Sequence, residues 1–338
     1  MENKITWCII GAGGIADRRA IPAILENSEN ILLAVMDTNP EVAERIGKKY
    51  NVPYYSSEED MLSRHKCDAV YIATPVFCHY RQSLLALKYG ANVFMEKPIA
   101  MNAKEGKEIL DAFKKAGKQL TIGYMMKYHN LHKKARGIVK KGGIGQINDV
   151  RLQFSCWYPE IANAWRQKKE LSGGGALMDL GVHCIELIEY VLDEEIVEAK
   201  SFINTHTFSY EVEDSAVVIF KTKSGVLGHI DVNFNISDTA SESKMELYGT
   251  SGYIICNGTL GQEECGTMLY LYSPQSDYSA MQNRTMSKPK KYKARGGNIY
   301  GAQFEDFNKT IAKGKPNYKY AQRAVQVQSI VDDIYSEK

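Results

Sequence analysis

The 338-residue chain lacks the features that mark several classes of protein. It contains no run of about 18 uninterrupted apolar residues, so we expect no membrane-spanning helix. Its formal net charge is only +2, which supplies no field for nucleic acid or for an anionic membrane surface. The few residues before the apolar run at 5–10 are too short for a signal peptide. The composition therefore predicts a soluble globular protein without nucleic-acid or membrane partners.

Paired cysteine motifs are also absent. The seven cysteines are scattered, odd in number and never spaced as a CxxC pair: Cys8, Cys67, Cys78, Cys156, Cys184, Cys256 and Cys265. This usage indicates reduced thiols in a cytoplasmic protein and argues against a zinc ribbon or a disulfide scaffold. Cys8 and Cys184 lie among apolar residues, so we expect them to fill core space and not to act as nucleophiles.

The first part of the chain alternates apolar runs with helical patterns. Several of the runs are apolar on consecutive positions, which is typical of parallel strands covered by helices on both faces. The alternation predicts right-handed crossovers and a doubly wound α/β (Rossmann) domain over residues 1–123. The strands that we expect are Ile5–Ile10, Ile31–Asp37, Ala69–Thr74, Asn92–Lys97 and Gln119–Tyr124.

After about Gly123 the pattern changes, and residues 124–338 are predicted to form a second, α+β domain. Strands with period-two alternation and short Gly or Ser turns favour a large open, mostly antiparallel sheet. The basic stretch Lys288–Arg295 is interpreted as a solvated loop, because no basic surplus accompanies it elsewhere. The helices expected in this part are Leu131–Lys141, Ala176–Leu192, Gln303–Ala312 and Tyr320–Tyr335.

A G-x-G-x-x-A turn follows the first strand and opens a helix. Gly11 permits the tight turn, Gly13 lets a diphosphate approach the backbone, and Ala16 allows close packing of helix on strand. The helix N-terminus then faces the phosphates with its unpaired N–H groups. The residues of this turn expected to contact the dinucleotide are Gly11, Gly13, Gly14 and Ile15. Pro22, inside the first helical pattern, is expected to kink or restart that helix.

Asp37 ends the second predicted strand, where a carboxylate accepts hydrogen bonds from the hydroxyls of the cofactor ribose. An acid at this position repels a 2′-phosphate, and no Arg follows at 38 or 39. We therefore expect NAD as the cofactor, with NADP disfavoured.

Two further segments carry reactive groups. Lys97 ends a strand at the sheet edge where ligands of open α/β sheets lie, although a lone Lys there is often a surface group. Asp179 and His183 are four residues apart on a largely apolar helix, so they share a face and can form an acid–imidazole pair suited to a general base. The alternatives are an ordinary pair on a solvated helix, or metal ligation. His129 and His132 are too close for ligation from one helix face, so no metal is expected.

Taken together, these residues resemble the Gfo/Idh/MocA family, which includes glucose-fructose oxidoreductase and inositol dehydrogenase. The resemblance covers nearly the whole chain. It is carried by GAGGIA at 11–16, Ala73-Thr74-Pro75 with His79, Glu96-Lys97-Pro98, Gly123-Tyr124, Trp165-Arg166 and SGGGALMDLGVH at 172–183.

The resemblance implies roles for individual residues. Lys97, Asp179 and His183 would form the catalytic set, and Trp165 and Arg166 would border cofactor and substrate. The other residues implied to bind the cofactor are Thr74, Pro75, His79, Glu96 and Lys97, and those implied to bind substrate are Lys97, Tyr124, Arg166, Asp179 and His183. Where the family usually carries an Arg after the Gly-Tyr pair, this chain has Lys127. In the family the open sheet commonly serves as an oligomer interface, which implies a homodimer or homotetramer.

The combined pattern predicts a dehydrogenase that transfers a hydride between NAD and a secondary alcohol of a cyclic sugar, polyol or glycoside. His183 would take the hydroxyl proton, Asp179 would orient the imidazole, and Lys97 would donate to the reacting oxygen. This mechanism requires the three side chains to meet around one alcohol. Two alternatives remain open: an NAD-dependent glycosidase or eliminase with transient ring oxidation, and a non-catalytic dinucleotide-binding sensor.

Overall fold

The computed structural model describes residues 4–274, 278, 280 and 287–337. The chain divides into two units. The first comprises Met1–Tyr124, Lys168–Gly173 and Tyr300–Asp332, and the second comprises Met125–Gln167, Gly174–Ile299 and Asp333–Lys338. The outermost residues of the predicted domains, 1–3 and 338, lie outside the described residues.

The return of residues 300–332 to the first unit differs from the predicted division, which gave all of 124–338 to the second domain. The reason is aromatic packing. The ring centroid of Phe304 lies 5.6 Å from that of Trp7 and 4.7 Å from that of Phe94, and Phe307 lies 5.3 Å from Trp7. A helical period predicts that such a segment forms a helix, but it does not reveal which sheet the helix covers.

The first unit contains a six-stranded parallel sheet, as expected for a doubly wound domain. Its strand order is β3-β2-β1-β4-β5-β6, so the order reverses between β1 and β4, where ligands of such sheets bind. The predicted strands are all present, and a two-residue strand, β3, is added at the edge. The strands are β1 (Ile5–Ile10), β2 (Asn30–Met36), β3 (Tyr54–Tyr55), β4 (Ala69–Ile72), β5 (Asn92–Met95) and β6 (Leu120–Ile122).

The helices begin and end where local chemistry allows. In the 103–116 helix, for example, the side chain of Asn102 accepts a hydrogen bond from the Glu105 amide, and Gly117 ends the helix with a left-handed φ of 62°. None of the helices in the described part of the chain combines the length and the apolar character needed to cross a membrane. The α-helices of the described residues are α1 (Ile21–Leu25), α2 (Pro40–Tyr50), α3 (Glu58–Arg64), α4 (His79–Lys88), α5 (Ala103–Ala116), α6 (Asn130–Lys140), α7 (Lys169–Ser172), α8 (Val182–Leu192), α9 (Ile299–Ala312) and α10 (Lys319–Ser336).

The second unit is built on an eight-stranded sheet of order β14-β13-β12-β11-β7-β10-β9-β8. Strands β7 and β10 run parallel and the other neighbours run antiparallel, which confirms the expected mostly antiparallel sheet. The strands are β7 (Ile147–Ser155), β8 (Ile196–Asn204), β9 (Ser215–Thr222), β10 (Leu227–Asn233), β11 (Lys244–Gly249), β12 (Gly252–Asn257), β13 (Thr267–Tyr272) and β14 (Lys290–Lys293).

Strand β14 corrects the interpretation of Lys288–Arg295 as a solvated loop. Lys290–Lys293 pairs with β13 at the sheet edge. Lysine is tolerated on an edge strand because its charge discourages further pairing with other chains. The stretch lacks the apolar alternation that would have predicted a strand.

The two faces of this sheet differ. Strand residues such as Val150, Leu152 and Ile230 are buried, on the face that packs against α8 and the turn before it. On the opposite face, β8, β9 and β10 present large apolar side chains to solvent. We call this the open face, defined by Phe202, Val217, Ile219 and Leu227, which are 90%, 47%, 60% and 59% exposed.

Candidate functional site

The glycine turn in the first unit closes tightly on a neighbouring strand. Gly11 has a φ of +83°, and a Cβ placed on it would lie 2.8 Å from the carbonyl carbon of Ala73 and from Cγ2 of Thr74. The Gly11 amide donates to the Met36 carbonyl at 2.9 Å. Only glycine fits here, which agrees with the role given to it in a dinucleotide turn.

The rest of the turn presents backbone. Gly14 has a φ of +50°, and no heavy atom lies within 4 Å of the Cβ that it lacks. Ile15 caps a π-helical segment, Ala16–Ala20, in which Ala16 is fully buried. Pro22 lies in the first turn of α1, so the helix restarts at this proline as the sequence predicts. A π-turn widens a helix locally and occurs often at functional sites.

Asp37 is tied to this turn. Its Oδ2 accepts a hydrogen bond from the Gly13 amide at 3.1 Å, and its Oδ1 accepts one from the Asn39 amide at 3.0 Å. The carboxylate is half-buried at the end of β2. Asp37 therefore holds the glycine turn against the start of α2. Its hydrogen bond to the ribose stays a prediction.

Thr74, Pro75 and His79 follow β4, and the His79 ring lies between two backbone carbonyls. Its contact with the cofactor stays a prediction. Its Nδ1 lies 2.8 Å from the Pro98 carbonyl oxygen and its Nε2 lies 3.0 Å from the Thr74 carbonyl oxygen. The side chain is 1% exposed, and burial lowers the pKa of His79 to about 4. Because both ring nitrogens face protein carbonyls, His79 positions the two loops on either side of it. The Thr74 hydroxyl donates to the Gln82 side chain at 2.5 Å.

Glu96 and Lys97 follow β5, and both are half-buried. The Tyr71 hydroxyl donates to Glu96 Oε1 at 2.6 Å, and burial together with the Glu96 charge raises the pKa of Tyr71. A Cβ on Gly123 would lie 3.2 Å from the same oxygen, so the Gly-Tyr pair leaves room for this carboxylate. The sequence indicates Tyr71 only as part of an apolar strand, and no local pattern identifies the role of its hydroxyl.

Tyr124 ends the first unit, and its side chain is 1% exposed. Its ring is thus packed inside the protein. The predicted contact of Tyr124 with substrate stays a prediction.

In the second unit, Trp165 and Arg166 lie in a short 3-10 helix, Trp165–Gln167. The Arg166 guanidinium lies over the Trp165 ring at 4.3 Å, and its Nε is 3.6 Å from Asp179 Oδ1. The Arg166 and Asp179 side chains are 40% and 27% exposed, so this ion pair is in contact with solvent. Arg166 therefore gives the Asp179 carboxylate a cationic neighbour.

Tyr158 joins this pair, and sequence reasoning did not identify it. Burial raises its pKa, while Arg166 acts in the opposite direction through its charge and a hydrogen bond. Its ring lies 5.1 Å from that of Phe234. The sequence contains 21 tyrosines, and nothing local distinguishes this one.

Asp179 and His183 are on consecutive turns of one helical stretch. The sequence predicts a single uniform helix here, whereas the structure has a π-helical segment followed by an α-helix. Leu177–Gly181 is π-helical and α8 begins at Val182, so Asp179 lies within the wider π-helical turn and His183 lies in the first turn of α8. The Asp179 amide donates to the Gly175 carbonyl at 2.9 Å. His183 is 5% exposed, with the Phe154 ring edge-on at 6.4 Å. Each of the two sites singled out by the sequence thus contains a π-turn.

Lys127, which stands where the family pattern has an Arg, forms a buried ion pair in the second unit. Its Nζ lies 3.2 Å from Glu186 Oε1, and the two side chains are 2% and 1% exposed. Glu186 is on α8, one turn after His183. The pair anchors the segment after Gly-Tyr to this helix.

The histidines considered for metal binding bind backbone instead. His129 Nδ1 accepts from the Leu131 amide at 3.1 Å, its Nε2 donates to the Cys265 carbonyl at 2.9 Å, and His132 Nδ1 lies 2.8 Å from the Met126 carbonyl oxygen. Across the described ranges, no group of three or more His, Cys, Asp or Glu side chains could hold a metal ion.

Two models of one protein family match the chain. The NAD-binding Rossmann model of the oxidoreductase family matches residues 5–124, and the GFO/IDH/MocA C-terminal domain model matches residues 132–255. Together they span most of the sequence.

Similar proteins agree with these matches. The 1,5-anhydro-D-fructose reductase of Ensifer adhaerens is 27% identical over 264 residues, 78% of each chain. The D-glucoside 3-dehydrogenase of Escherichia coli strain K12 is 29% identical over 259 residues, 70% of this chain and 72% of that protein. The crystal structure of aldose-aldose oxidoreductase from Caulobacter crescentus, complexed with glycerol, has the same fold, with a TM-score of 0.86 at 22% identity over 98% of this chain and 97% of that one. The chain therefore belongs to the GFO/IDH/MocA family and is an NAD-binding oxidoreductase.

Proposed function

We propose that this oxidoreductase transfers a hydride reversibly between NAD and a secondary alcohol of a cyclic sugar, polyol or glycoside. The observation that carries the proposal is the Arg166–Asp179 ion pair on the turn before His183, in a family member whose relatives are named for sugar substrates. An acid paired with a cation, four residues before an imidazole along one helix, suits removal of a hydroxyl proton.

The first unit supplies residues that fit the dinucleotide. Gly11, Gly13 and Gly14 bring bare backbone to the start of a helix, which suits a diphosphate. In this proposal Asp37, which follows β2, accepts a hydrogen bond from a ribose hydroxyl and repels a 2′-phosphate, which favours NAD over NADP. We assign Ile15, Thr74, Pro75, Glu96, Lys97, Trp165 and Arg166 to the cofactor as well. His79, whose ring nitrogens face the Thr74 and Pro98 carbonyls, is assigned to the cofactor with them.

NAD supplies the hydride acceptor when it is bound. In the proposed mechanism His183 accepts the proton of the substrate hydroxyl, and Asp179 orients the ring and stabilises its charged form. The Lys97 ammonium donates a hydrogen bond to the reacting oxygen and stabilises the charge that develops there. Arg166 and Tyr124 are assigned to the rest of the substrate, and Trp165 offers an aromatic surface for its ring.

We further propose that the enzyme is a homo-oligomer, a homodimer or homotetramer, associated through the open face. That face presents Phe202 and Ile219, which are 90% and 60% exposed, on adjacent strands. Large exposed apolar side chains on one face mark interaction sites more often than isolated ones do. A cytoplasmic location is proposed because all seven cysteines are free.

The test is NAD reduction by the purified enzyme against a panel of free sugars, inositols and glycosides. We expect NADH formation with at least one of them, and an oxidation rate that rises with pH as a histidine base loses its proton. Glycosidic cleavage without net NADH would replace the proposal with the glycosidase or eliminase reaction. An oxidation rate that does not change through neutral pH would show that His183 is not the base.

A further inference from the structure

Two residues from distant parts of the sequence, Glu213 and Tyr335, lie against the glycine triplet that precedes the helix of Asp179. A Cβ on Gly174 would overlap the Tyr335 hydroxyl, and a Cβ on Gly175 would overlap the backbone carbonyl of Glu213. The glycines therefore allow Glu213 and Tyr335 to approach the backbone closely. All four residues belong to the second unit.

Glu213 occupies the start of the helix. Its Oε1 accepts hydrogen bonds from the amides of Gly175 at 3.0 Å and Leu177 at 2.9 Å, and its backbone carbonyl accepts from the Ala176 amide at 3.0 Å. Three successive N–H groups, which a helix leaves without partners at its N-terminus, are thus satisfied by one residue of another segment. Glu213 is only 4% exposed.

Tyr335, near the end of α10, completes the arrangement. Its hydroxyl donates to Glu213 Oε1 at 2.7 Å. Burial, together with the charge of Glu213, raises the pKa of Tyr335, so the hydroxyl keeps its proton and remains a donor. The Glu213 oxygen therefore receives three hydrogen bonds, which hold it in one place.

We propose that Glu213 and Tyr335 are positioning residues for the reaction, because they fix the turn from which Asp179 and His183 project. Gly175 connects Glu213 to Asp179, because the Gly175 amide donates to Glu213 Oε1 and the Gly175 carbonyl accepts from the Asp179 amide. This inference rests on the proposed function, in which Asp179 and His183 act on the substrate hydroxyl. A displacement of a reacting group by about 1 Å can cost about 100-fold in rate.

The test compares Tyr335→Phe and Glu213→Gln with a matched control, Tyr318→Phe. The Tyr318 hydroxyl donates to the Phe113 and Lys118 carbonyls in the first unit, so its loss is structural only. We expect Tyr335→Phe to lower kcat about 10-fold and Glu213→Gln about 10- to 100-fold, with KM for NAD within about twofold of wild type. Tyr318→Phe should lower Tm and leave kcat unchanged. If Tyr335→Phe lowers Tm as the control does and leaves kcat unchanged, the proposal is wrong.

A second measurement does not depend on activity. Amide hydrogen exchange at Gly175, Ala176 and Leu177 should be faster in Tyr335→Phe than in wild type, and unchanged in Tyr318→Phe. Unchanged exchange at these amides would overturn the positioning proposal. A wild-type enzyme without activity on any sugar would instead overturn the proposed function, so the two failures are distinguishable.

Discussion

The Asp37 carboxylate accepts a hydrogen bond from the Gly13 amide at 3.1 Å, so the acid that ends β2 also holds the glycine turn that ends β1. The two strands are neighbours in the parallel sheet, which brings their carboxyl ends together. One side chain is therefore expected both to shape the diphosphate turn and to select the cofactor.

Replacing Asp37 with Ala should change cofactor use in two ways. The loss of a charged hydrogen-bond acceptor, which contributes about 1.5–3 kcal/mol, should raise KM for NAD about 10- to 100-fold. The loss of its negative charge should also narrow the preference for NAD over NADP. Steady-state kinetics with both cofactors measures these effects. Glu41→Ala, an exposed acid in the first turn of α2, is the control and should behave as wild type. A wild-type preference for NADP would contradict the role of Asp37.

Lys97→Ala and His183→Ala should each lower kcat/KM by about 10²–10⁴-fold, which is about 3–5 kcal/mol of transition-state stabilisation. The reason is that each removes a group proposed to hold or take a proton at the reacting oxygen. Kinetics with the best sugar of the panel provides the measurement. Lys107→Ala, whose side chain is 74% exposed, serves as the control. Near-normal turnover in both variants would show that Lys97 and His183 have no catalytic role.

The buried ring of His79 predicts an acid sensitivity of folding. Burial lowers the pKa of His79 from 6.5 to about 4, so between these values the unfolded chain binds a proton that the folded protein does not. The free energy of unfolding should therefore fall as pH decreases from about 6.5 to 4, by about 3 kcal/mol for this ring, and the full stability is present above pH 6.5.

Urea unfolding of wild type and His79→Gln across this range checks the sign. The variant should lose less stability on acidification, because its amide does not titrate. If the free energy of unfolding changes equally with pH in wild type and in His79→Gln, the His79 ring contributes nothing to the pH dependence of stability.

The parts of the fold and of the site that depend on local sequence patterns could be predicted from the sequence. Runs of consecutive apolar residues located the parallel strands, and the glycine spacing located the turn whose Gly11 admits no side chain. The hydrogen bond between Glu213 and Tyr335 could not be predicted, because the two residues are 122 positions apart and no local pattern links a carboxylate to a distant hydroxyl. The sequence motif identifies His79, but only the coordinates show that its two ring nitrogens face the backbone carbonyls of Pro98 and Thr74.

The exposed apolar side chains of the open face indicate that the protein associates with copies of itself through this face. Phe202→Asp should convert a homo-oligomer into a smaller species, because it places a charge on an apolar surface that association would bury. Light scattering coupled to size-exclusion chromatography gives the mass. Phe77→Asp, at a 46% exposed site in the first unit, is the matched control and should retain the wild-type mass. A wild-type protein that is monomeric at all concentrations would contradict association through this face.

The cysteines should differ in their reaction with iodoacetamide. Cys265 is exposed and should be alkylated first, whereas Cys8 and Cys184 are fully buried. Burial raises the pKa of Cys184, and a hydrogen bond with Cys67 together with burial raises the pKa of Cys8, so both thiols stay protonated and unreactive. Mass spectrometry of the native enzyme should find label on Cys265 and activity retained, and Cys265→Ser should abolish the early label. Loss of activity in proportion to labelling of Cys8 or Cys184 would show that one of them reaches the reaction and does more than fill the core.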